Sequence, residues 1–592
     1  MKALSNFFEN QDRKNVWAIF IVVLVVRLIA LPRSQTVHAD AVSRVFSALD
    51  WLVHSHYIAN GYWGPLHNYL TAFALWILPD WVVAPKLLNI LLASLSIFPL
   101  YGFTKNVFGN RLGAVYVSLI YGFCPVVMHN SFQALSDVSY AFFVLSSMYF
   151  LSEGLKHNGK TLFAILGGFA MTLAAATRYE AWVIIATFTL VGILNKQWKF
   201  TAVFWFIAML FPVSWMLGNH LEHGDFLYSI TQNDIGNIQK QGINDKVDDI
   251  LRMRRMTFFP FSFIVNVSPI AVLLILIAIT SSVWRKSISK MQLTWLVPFL
   301  ILAVVFIQKT YVGTLMMQHR FTITWIILLL PFLALTFSDS VLFKLKSVIL
   351  TLAVISLAPM SFKWGWVNYK EYLGKGTLGE AFNQMNAENS HEFEAIPFLY
   401  NADTDSLVGA IRVNSMPNDG FVLDFFGWDR TYYTSLRAKM RGIIVDGSKH
   451  GNVDYDDLNK YLTTHPTGLI VLSRLGKLLD GAEYRDSLFY FQNMATPLNL
   501  TQLYATSGEL LFRYKTLENY DSNKFVEKQA ARDKLFGTER DAAFFEVVIK
   551  ADMNWYRRLQ REGYWKGDPI DTTLAQNARY MVQMEAQRKK GN

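Results

Sequence analysis

Eleven apolar runs constrain the fold of this sequence more than any other feature, because most of them approach the length of a membrane-crossing helix. They cover residues 16–32, 86–104, 112–127, 138–152, 161–177, 182–194, 200–217, 258–283, 292–308, 321–337 and 346–361. The chain of 592 residues is 52% hydrophobic, which excludes an ordinary soluble enzyme. We therefore predict a polytopic α-helical membrane protein with about eleven transmembrane helices.

The charges between the runs predict which side of the membrane each loop faces. With the N-terminus inside, every inner connection is short and basic, as cytoplasmic loops are. One more crossing would destroy this alternation, so the short apolar segment Leu66–Leu78, flanked by Pro65 and Pro79, is predicted to be interfacial or re-entrant. The C-terminal third then lies outside. The inner connections carry Arg13/Lys14, Lys105/Arg111, Lys156/Lys160, Lys196/Lys199, Arg285/Lys286/Lys290 and Lys344/Lys346.

The remaining compositional features agree with a membrane protein. The Lys and Arg residues behind the net charge of +10 punctuate the apolar runs instead of forming a basic stripe, so they indicate contact with membrane lipids and not with nucleic acid. Cys124 is the single cysteine, so no disulfide forms within the chain. The first run lacks a small-residue cleavage site and is predicted to be an uncleaved span.

From residue 363 onward the apolar runs shrink to strand length and charged residues become frequent. We therefore predict a membrane domain at 1–362 and an extracytoplasmic soluble α/β domain at 363–592, with a helical C-terminal end from Asn523. The predicted strands cover 407–413, 420–426, 442–445 and 468–473, with a further candidate at 508–514, and the predicted helices cover 428–438 and 455–463.

Polar groups recur at the outer ends of the predicted spans. Asp40 follows the first span, 129–137 precedes the fourth, Arg178-Tyr-Glu180 follows the fifth, and the loops 220–255 and 309–320 are also polar. This topology rests on the inner Lys and Arg residues and not on these outer groups, so their placement on one face is an independent indication of a site there.

Several of these segments, taken in order, resemble the GT-C glycosyltransferases. The resemblance rests on Asp40 after the first span, Gly61-Tyr-Trp-Gly-Pro-Leu-His67, Lys105…Phe108-Gly…Arg111, Leu135-Ser-Asp137, Thr177-Arg-Tyr-Glu180 and His319-Arg-Phe321. Within that class the chain is most similar to the branch of protein O-mannosyltransferases and lipid A aminoarabinose transferases. Asp40 is followed by Ala41, whereas an Asp-Glu pair is common at this place in the relatives. Tyr179 lies between Arg178 and Glu180, where the relatives commonly have Pro.

This resemblance implies a glycosyltransferase of the cell envelope that uses a polyprenyl-phosphate sugar. The acceptor would be a protein, lipid or glycan hydroxyl, and the expected location is the bacterial inner membrane with the active site on the extracytoplasmic side. The competing hypothesis is a transporter or flippase of a lipid-linked sugar, which predicts polar residues near span centres and often an internal repeat. No convincing repeat is present, and Arg27 is the one such polar residue evident.

A sugar on a lipid phosphate already carries a good leaving group, so its transfer needs one base and cations that hold the phosphate. Asp40 is the predicted catalytic base. Arg320, Arg178 and Lys309 are the predicted donor phosphate ligands, because Arg and Lys suit oxyanions. Supporting roles are predicted for Asp137, Glu180, His319, Arg27 and His67.

Each assignment has a structural alternative. Asp40 and Asp137 could be helix N-caps, Arg178 and Glu180 could simply pair with each other, and Arg320 could be a snorkelling anchor at a span end. Arg27, inside the first span, could support Asp40 or the donor phosphate.

No cofactor is expected for this reaction. A divalent metal is the alternative, because His38 and Asp40 would point the same way in an extended segment. Two ligands are too few for such a site.

The topology can be tested with reporter fusions at Ser289 and at the C-terminus. Arg285–Lys290 is a basic inner loop in this topology, and three predicted spans, 292–308, 321–337 and 346–361, separate it from the C-terminal domain. Because three is an odd number of crossings, the two reporters should score on opposite sides of the membrane. Reporters on the same side would show that a span between Ser289 and residue 363 has been miscounted. Opposite sides with Ser289 outside would show that Leu66–Leu78 crosses the membrane, because such a crossing flips every later side.

Overall fold

The computed structural model forms two compact units, residues 1–395 and 396–592, which are described separately. The structure describes residues 10–31, 39–53, 55–59, 61–78, 83–133, 135–240, 249–337, 343–366, 402–424, 443–445, 461–473, 498–505 and 509–516. The predicted domain boundary at 362/363 lies beside the end of the last described helix of the first unit, and it stays a prediction.

The described part of the first unit is helical, and each predicted apolar run coincides with one helix or with two consecutive helices, except 321–337, which combines a short α-helix with two 3₁₀ segments. This pattern makes the chain an integral membrane protein. In chain order the helices are α1 (Asn10–Ala30), α2 (Ala39–Val53), α3 (Leu66–Ile77), α4 (Val83–Leu95), α5 (Ile97–Phe108), α6 (Arg111–Gly122), α7 (Pro125–Ser131), α8 (Asp137–Lys156), α9 (Thr161–Ala175), α10 (Glu180–Leu194), α11 (Trp198–Ala208), α12 (Leu210–His223), α13 (Tyr228–Lys240), α14 (Asp249–Met256), α15 (Phe258–Val267), α16 (Pro269–Trp284), α17 (Lys290–Val312), α18 (Ile323–Leu329) and α19 (Phe343–Trp366). Two 3₁₀ segments, His319–Thr322 and Leu330–Phe337, flank α18.

Fewer described helices are long and apolar enough to span a membrane than the eleven that the sequence predicts. Among the described residues, five helical segments are long and apolar enough to cross a membrane, or seven if each of two bent pairs counts as one span. The helices Thr161–Ala175 and Glu180–Leu194 are apolar but shorter. The count of eleven crossings therefore stays a prediction. Helix α3, with 12 residues, is too short to span, as expected for the segment placed at the interface.

Two of the predicted spans are broken helices. The run 112–127 bends by 54° between α6 and α7, where Pro125 occupies the first turn of α7. The run 258–283 bends by 106° between α15 and α16, so it is not the single straight span that the sequence predicts. Ser268 at this break has a φ of +85° and precedes Pro269, and a residue before proline is disfavoured in the helical region.

Buried side chains satisfy the backbone groups that the first break leaves open. Arg27 of α1 donates from Nη2 to the Gly122 carbonyl (3.0 Å) and from Nη1 to Ser94 Oγ (3.2 Å). The Val126 N–H donates to Asn266 Oδ1 of α15 (2.9 Å). Unpaired backbone groups cost several kcal/mol in a bilayer core, so these contacts are what allow the break to exist there.

Charges also tie the predicted inner ends together. Asp12, fully buried at the start of α1, accepts hydrogen bonds from Lys105, from Arg111 Nε (2.6 Å) and from Tyr101 (2.8 Å). The basic turn around Gly109 is therefore a clamp on the first helix, in addition to its effect on topology. Gly109 ends α5 with a φ of +68°, a left-handed conformation that glycine adopts without strain.

The first outer segment is held against the fifth predicted span by a close backbone approach. A Cβ on Gly64 would lie 2.4 Å from the Ala176 carbonyl oxygen, so only glycine permits this contact. Two residues later the Leu66 N–H donates to the same oxygen at 3.0 Å. The segment 61–67 is thereby fixed directly beside Arg178.

The second unit is an α/β layered domain in its described part. Its sheet has the strand order β2-β1-β3-β5-β4, with parallel pairing around β1 and antiparallel pairing of β5 with β3 and β4. The strands are β1 (Gly420–Asp424), β2 (Ile443–Val445), β3 (Thr467–Ser473), β4 (Leu498–Ala505) and β5 (Glu509–Thr516).

One predicted strand of this unit is wrong and one strand was missed. Residues 407–413 belong to helix α20 (Ala402–Asn414), which buries Leu407, Val408 and Ile411 against the sheet. Their spacing of one and four residues is that of one helix face, which the sequence reasoning overlooked. Strand β4 was not predicted. The predicted helices 428–438 and most of 455–463, and the C-terminal end from Asn523, lie outside the described residues.

Candidate active site

Three carboxylates of the predicted site lie in the first turns of three different helices. Asp40 is the second residue of α2, Asp137 the first of α8 and Glu180 the first of α10. Acidic side chains are stabilised there by the positive end of the helix dipole. None of the three is itself an N-cap residue: α2 begins at Ala39, and the caps of α8 and α10 are Ser136 and Tyr179.

Arg178 lies between two of these carboxylates. Its Nη1 donates to Asp137 Oδ1 at 2.6 Å, and its Nη2 and Nε donate to the two oxygens of Glu180 at 2.6 and 3.1 Å. Burial alone would lower the pKa of Arg178, but the Asp137 and Glu180 carboxylates outweigh it and raise the pKa, so the side chain stays charged. The predicted alternative, a pairing of Arg178 with Glu180, is present, and Asp137 joins it.

Arg320 pairs with the predicted base. Its Nη2 lies 2.8 Å from Asp40 Oδ2, and its Nε donates to Gln318 Oε1 at 2.7 Å. The guanidinium groups of Arg320 and Arg178 lie 5.1 and 4.5 Å from the centroid of the Phe321 ring, a distance at which cations are attracted to an aromatic face. The structure therefore brings together Asp40, Asp137, Arg178, Glu180 and Arg320, which are far apart in the sequence.

Arg44 is a functional candidate that the sequence reasoning missed. It lies one turn after Asp40 on α2, it is 5% exposed, and its guanidinium carbon is 4.6 Å from the centroid of the Trp63 ring. Nε and Nη1 of Arg44 are buried and have no hydrogen-bond partner among the described residues. Burial lowers the pKa of Arg44 to about 10, with Asp40, Arg320, Arg178 and Asp137 as the charges that act on it, so it is protonated at pH 7.

The signal for Arg44 was the spacing of four residues from Asp40, which places both side chains on one helix face. An arginine in an amphipathic interfacial helix ordinarily faces water, so the sequence alone gave no reason to single it out.

Lys309 lies at a more exposed position of the same outer region. Its Nζ contacts the two oxygens of Asp234 at 2.9 and 3.0 Å, which joins α17 to α13. The pKa of Tyr62 is raised by burial and then by the charges of Asp234 and Asp40. Tyr62 also donates to the Gln232 carbonyl at 3.2 Å.

The remaining predicted residues contact other parts of the bundle. His67 Nδ1 lies 3.0 Å from Ser139 Oγ, which joins α3 to α8. His319 Nδ1 lies 2.8 Å from Ser262 Oγ, so its side chain points to α15, although Arg320 beside it contacts Asp40. Arg27 lies at the α6–α7 break, where its side chain donates to Gly122 and Ser94.

In the described part of the chain, no three His, Cys, Asp or Glu residues are grouped as metal ligands. The metal alternative required Asp40 and His38 to lie in one extended segment. Asp40 lies in a helix instead, and His38 lies outside the described residues.

No protein-family model and no curated protein matches this chain. Among solved structures, ArnT from Cupriavidus metallidurans bound to undecaprenyl phosphate matches with a TM-score of 0.53 and 11% identity, over 84% of this chain and 97% of ArnT. Apo ArnT gives the same TM-score and coverage at 12% identity. The Archaeoglobus fulgidus oligosaccharyltransferase in complex with Zn and sulfate matches at a TM-score of 0.46 and 13% identity, over 76% of this chain and 67% of that one. The GT-C fold predicted from the sequence is thus confirmed by the ArnT structures.

The role of Arg178 can be tested by thermal unfolding in detergent. Arg178→Ala removes the cation shared by Asp137, which is fully buried, and Glu180. Breaking a buried pair costs about 3–5 kcal/mol, so the melting temperature should fall markedly. Arg320→Ala is the matched control, since its partner Asp40 is 31% exposed, and it should shift the melting temperature less. An unchanged melting temperature for Arg178→Ala would contradict a structural role for this pair.

Proposed function

We propose that this protein is a membrane glycosyltransferase that moves a sugar from a polyprenyl-phosphate donor to an acceptor hydroxyl on the extracytoplasmic side, with inversion. One observation carries the proposal. Asp40, a carboxylate at a helix start, lies beside Arg320 and one turn from Arg44, a buried arginine with two nitrogens that have no hydrogen-bond partner among the described residues. The crystal structure of ArnT with undecaprenyl phosphate supports a lipid phosphate as the ligand class.

The charges of the site divide the three arginines into two groups. Arg178 is compensated by two carboxylates and Arg320 by one, whereas Nε and Nη1 of Arg44 have no hydrogen-bond partner among the described residues. A phosphodiester carries one negative charge and gains most where cations are least compensated. We therefore assign donor phosphate binding to Arg44 and Arg320, with Lys309 at the rim, and assign to Arg178 the support of this arrangement.

Asp40 is the general base in this proposal. When the donor phosphate binds the Arg320 guanidinium, it replaces the contact of Arg320 with Asp40. The Asp40 carboxylate can then accept the proton of the acceptor hydroxyl. The acceptor oxygen forms a bond to the anomeric carbon from the face opposite the phosphate. The bond between that carbon and the phosphate oxygen breaks, and its electron pair leaves with the lipid phosphate, whose added charge Arg44 and Arg320 stabilise.

The transporter hypothesis loses its main sequence support in this structure. Arg27 was the polar residue inside a span that such a protein would use. Its side chain instead bonds the Gly122 carbonyl and Ser94, which explains its burial by a structural role.

The second unit would bind the acceptor or shield the site, and the expected location is the bacterial inner membrane with this unit on the extracytoplasmic side.

The chemical step is tested with Asp40→Asn. Asn keeps the shape of the side chain but lacks the basic oxygen, so sugar transfer should fall by about 100- to 10,000-fold while donor binding persists. Transfer and donor binding would be measured on the same preparation with a panel of polyprenyl-phosphate sugars. Asp234→Asn, which changes an outer carboxylate bonded to Lys309, is the control and should retain most activity. If Asp40→Asn transferred sugar as fast as wild type, Asp40 would not be the base, and Asp137 would become the candidate for that role. A wild type inactive with every donor would refute the enzyme and favour a flippase.

Donor binding is tested with Arg44→Gln and Arg320→Gln. Each removes a charge-assisted contact worth about 1.5–3 kcal/mol, so the affinity for undecaprenyl phosphate should fall at least about tenfold in each variant. The measurement is the thermal stabilisation of the purified protein as a function of lipid concentration. Arg285→Gln, an exposed arginine in the connection between α16 and α17, is the control and should bind as wild type does. Unchanged binding by both site variants would place the phosphate elsewhere.

A further inference from the structure

Helix α15 carries two fully buried polar side chains, Ser262 and Asn266, one turn apart on the same face. Neither contributes a charge to the site, and the sequence reasoning did not single them out. Buried polar groups are costly unless they are hydrogen-bonded, so their partners show what they hold in place.

Ser262 fixes the short 3₁₀ turn that carries Arg320. Thr322 Oγ1 donates to Ser262 Oγ at 2.6 Å, and Ser262 Oγ lies 2.8 Å from His319 Nδ1. These two contacts hold His319 and Thr322, the first and last residues of the turn, and Arg320 lies between these two residues. A 3₁₀ turn has weak internal hydrogen-bond geometry, so its orientation depends on such external contacts.

Asn266 connects the same helix to the other side of the site. It accepts from the Val126 N–H at 2.9 Å and donates from Nδ2 to the Ser262 carbonyl at 2.8 Å. Val126 is the second residue of α7, which packs against the turn that carries Arg320. The segment after α7 leads to Asp137 and is held by Asn89, whose amide donates to the carbonyls of Gln133 and Leu135.

We propose that Ser262 and Asn266 are positioning residues for the transfer reaction: Ser262 holds the Arg320 turn, and Asn266 holds the first turn of α7, which packs against the Arg320 turn, in the geometry that the donor phosphate requires. This inference rests on the proposed function, in which Arg320 binds the donor. Catalysis is sensitive to displacements of about 1 Å, so two hydrogen bonds at the ends of a four-residue turn are sufficient to matter.

The first test measures the turn itself and does not depend on any reaction. Hydrogen exchange of the backbone amides of residues 318–323 would be compared in wild type, Ser262→Ala and Ser118→Ala. Ser118 is also fully buried, but its hydroxyl has no hydrogen-bond partner in the part of the chain that is described. We expect exchange about tenfold faster in Ser262→Ala, the size of one lost hydrogen bond, and unchanged in Ser118→Ala. Equal exchange in all three would overturn the proposal.

The second test uses the kinetics of sugar transfer. Ser262→Ala should lower kcat/KM by about tenfold at a melting temperature within a few degrees of wild type, and Ser118→Ala should not lower it. Asn266→Ala should lower both kcat/KM and the melting temperature, because it also leaves the Val126 N–H without its acceptor. In an Arg320→Lys background, which retains the charge but loses the planar fork, Ser262→Ala should cause little further loss, because residues that act through one another are not additive.

The two tests separate the possible outcomes. A full additional loss in the Arg320→Lys background would mean that Ser262 acts on stability and not through Arg320, and would overturn the proposal. Unchanged kcat/KM in Ser262→Ala would do the same. Faster exchange of the turn in a protein whose wild type transfers no sugar would support the placement of Arg320 by Ser262 and refute the proposed function alone.

Discussion

The arrangement of the candidate site depends on the pairing of Arg178 with Asp137 and Glu180. Charged side chains are expensive to bury at a membrane helix end, and this one cation compensates two anions that begin different helices. The same guanidinium lies against the Phe321 ring. Arg320, the residue before Phe321, donates a hydrogen bond to Asp40. The remaining charges of the site are therefore built around a compensated centre, and an arginine that is not compensated can serve a ligand.

Three arginines of one site illustrate that residue type does not decide function. Arg178 has its hydrogen bonds satisfied by carboxylates, Arg320 shares its guanidinium with the proposed base, and Arg44 is buried beside Trp63 with two nitrogens left over in the described structure. The number of bonds already made is what separates a structural cation from a binding one. Such a count needs coordinates, because Asp137 lies 41 residues from Arg178 and Asp40 lies 280 residues from Arg320 in the sequence.

The parts of this protein that could be predicted from sequence are those that local pattern determines. Apolar runs gave the helices, and polar residues at their outer ends gave Asp40, Arg178 and Arg320 as members of one site. Arg44 was missed because an interfacial helix hides which of its charges are buried. The strand predicted at 407–413 is a helix, because Leu407, Val408 and Ile411 have the spacing of one helix face, which the prediction overlooked. The two helix breaks each have a proline signal in the sequence, Pro125 and Pro269, but the side chains that satisfy the first break are remote and could not be predicted.

Those remote contacts have a consequence for biogenesis. The N–H of Val126 finds its acceptor on Asn266, 140 residues later in the chain, while the Gly122 carbonyl on the other side of the same break is met by Arg27, from a helix made earlier. Within a bilayer an unmet backbone group favours a continuous helix or a watery surrounding. The bent form of α6 and α7, and with it the approach to Asp137, becomes the stable one only after α15 has been synthesised and inserted. The final geometry of the N-terminal half is thus set late, by a segment translated after it.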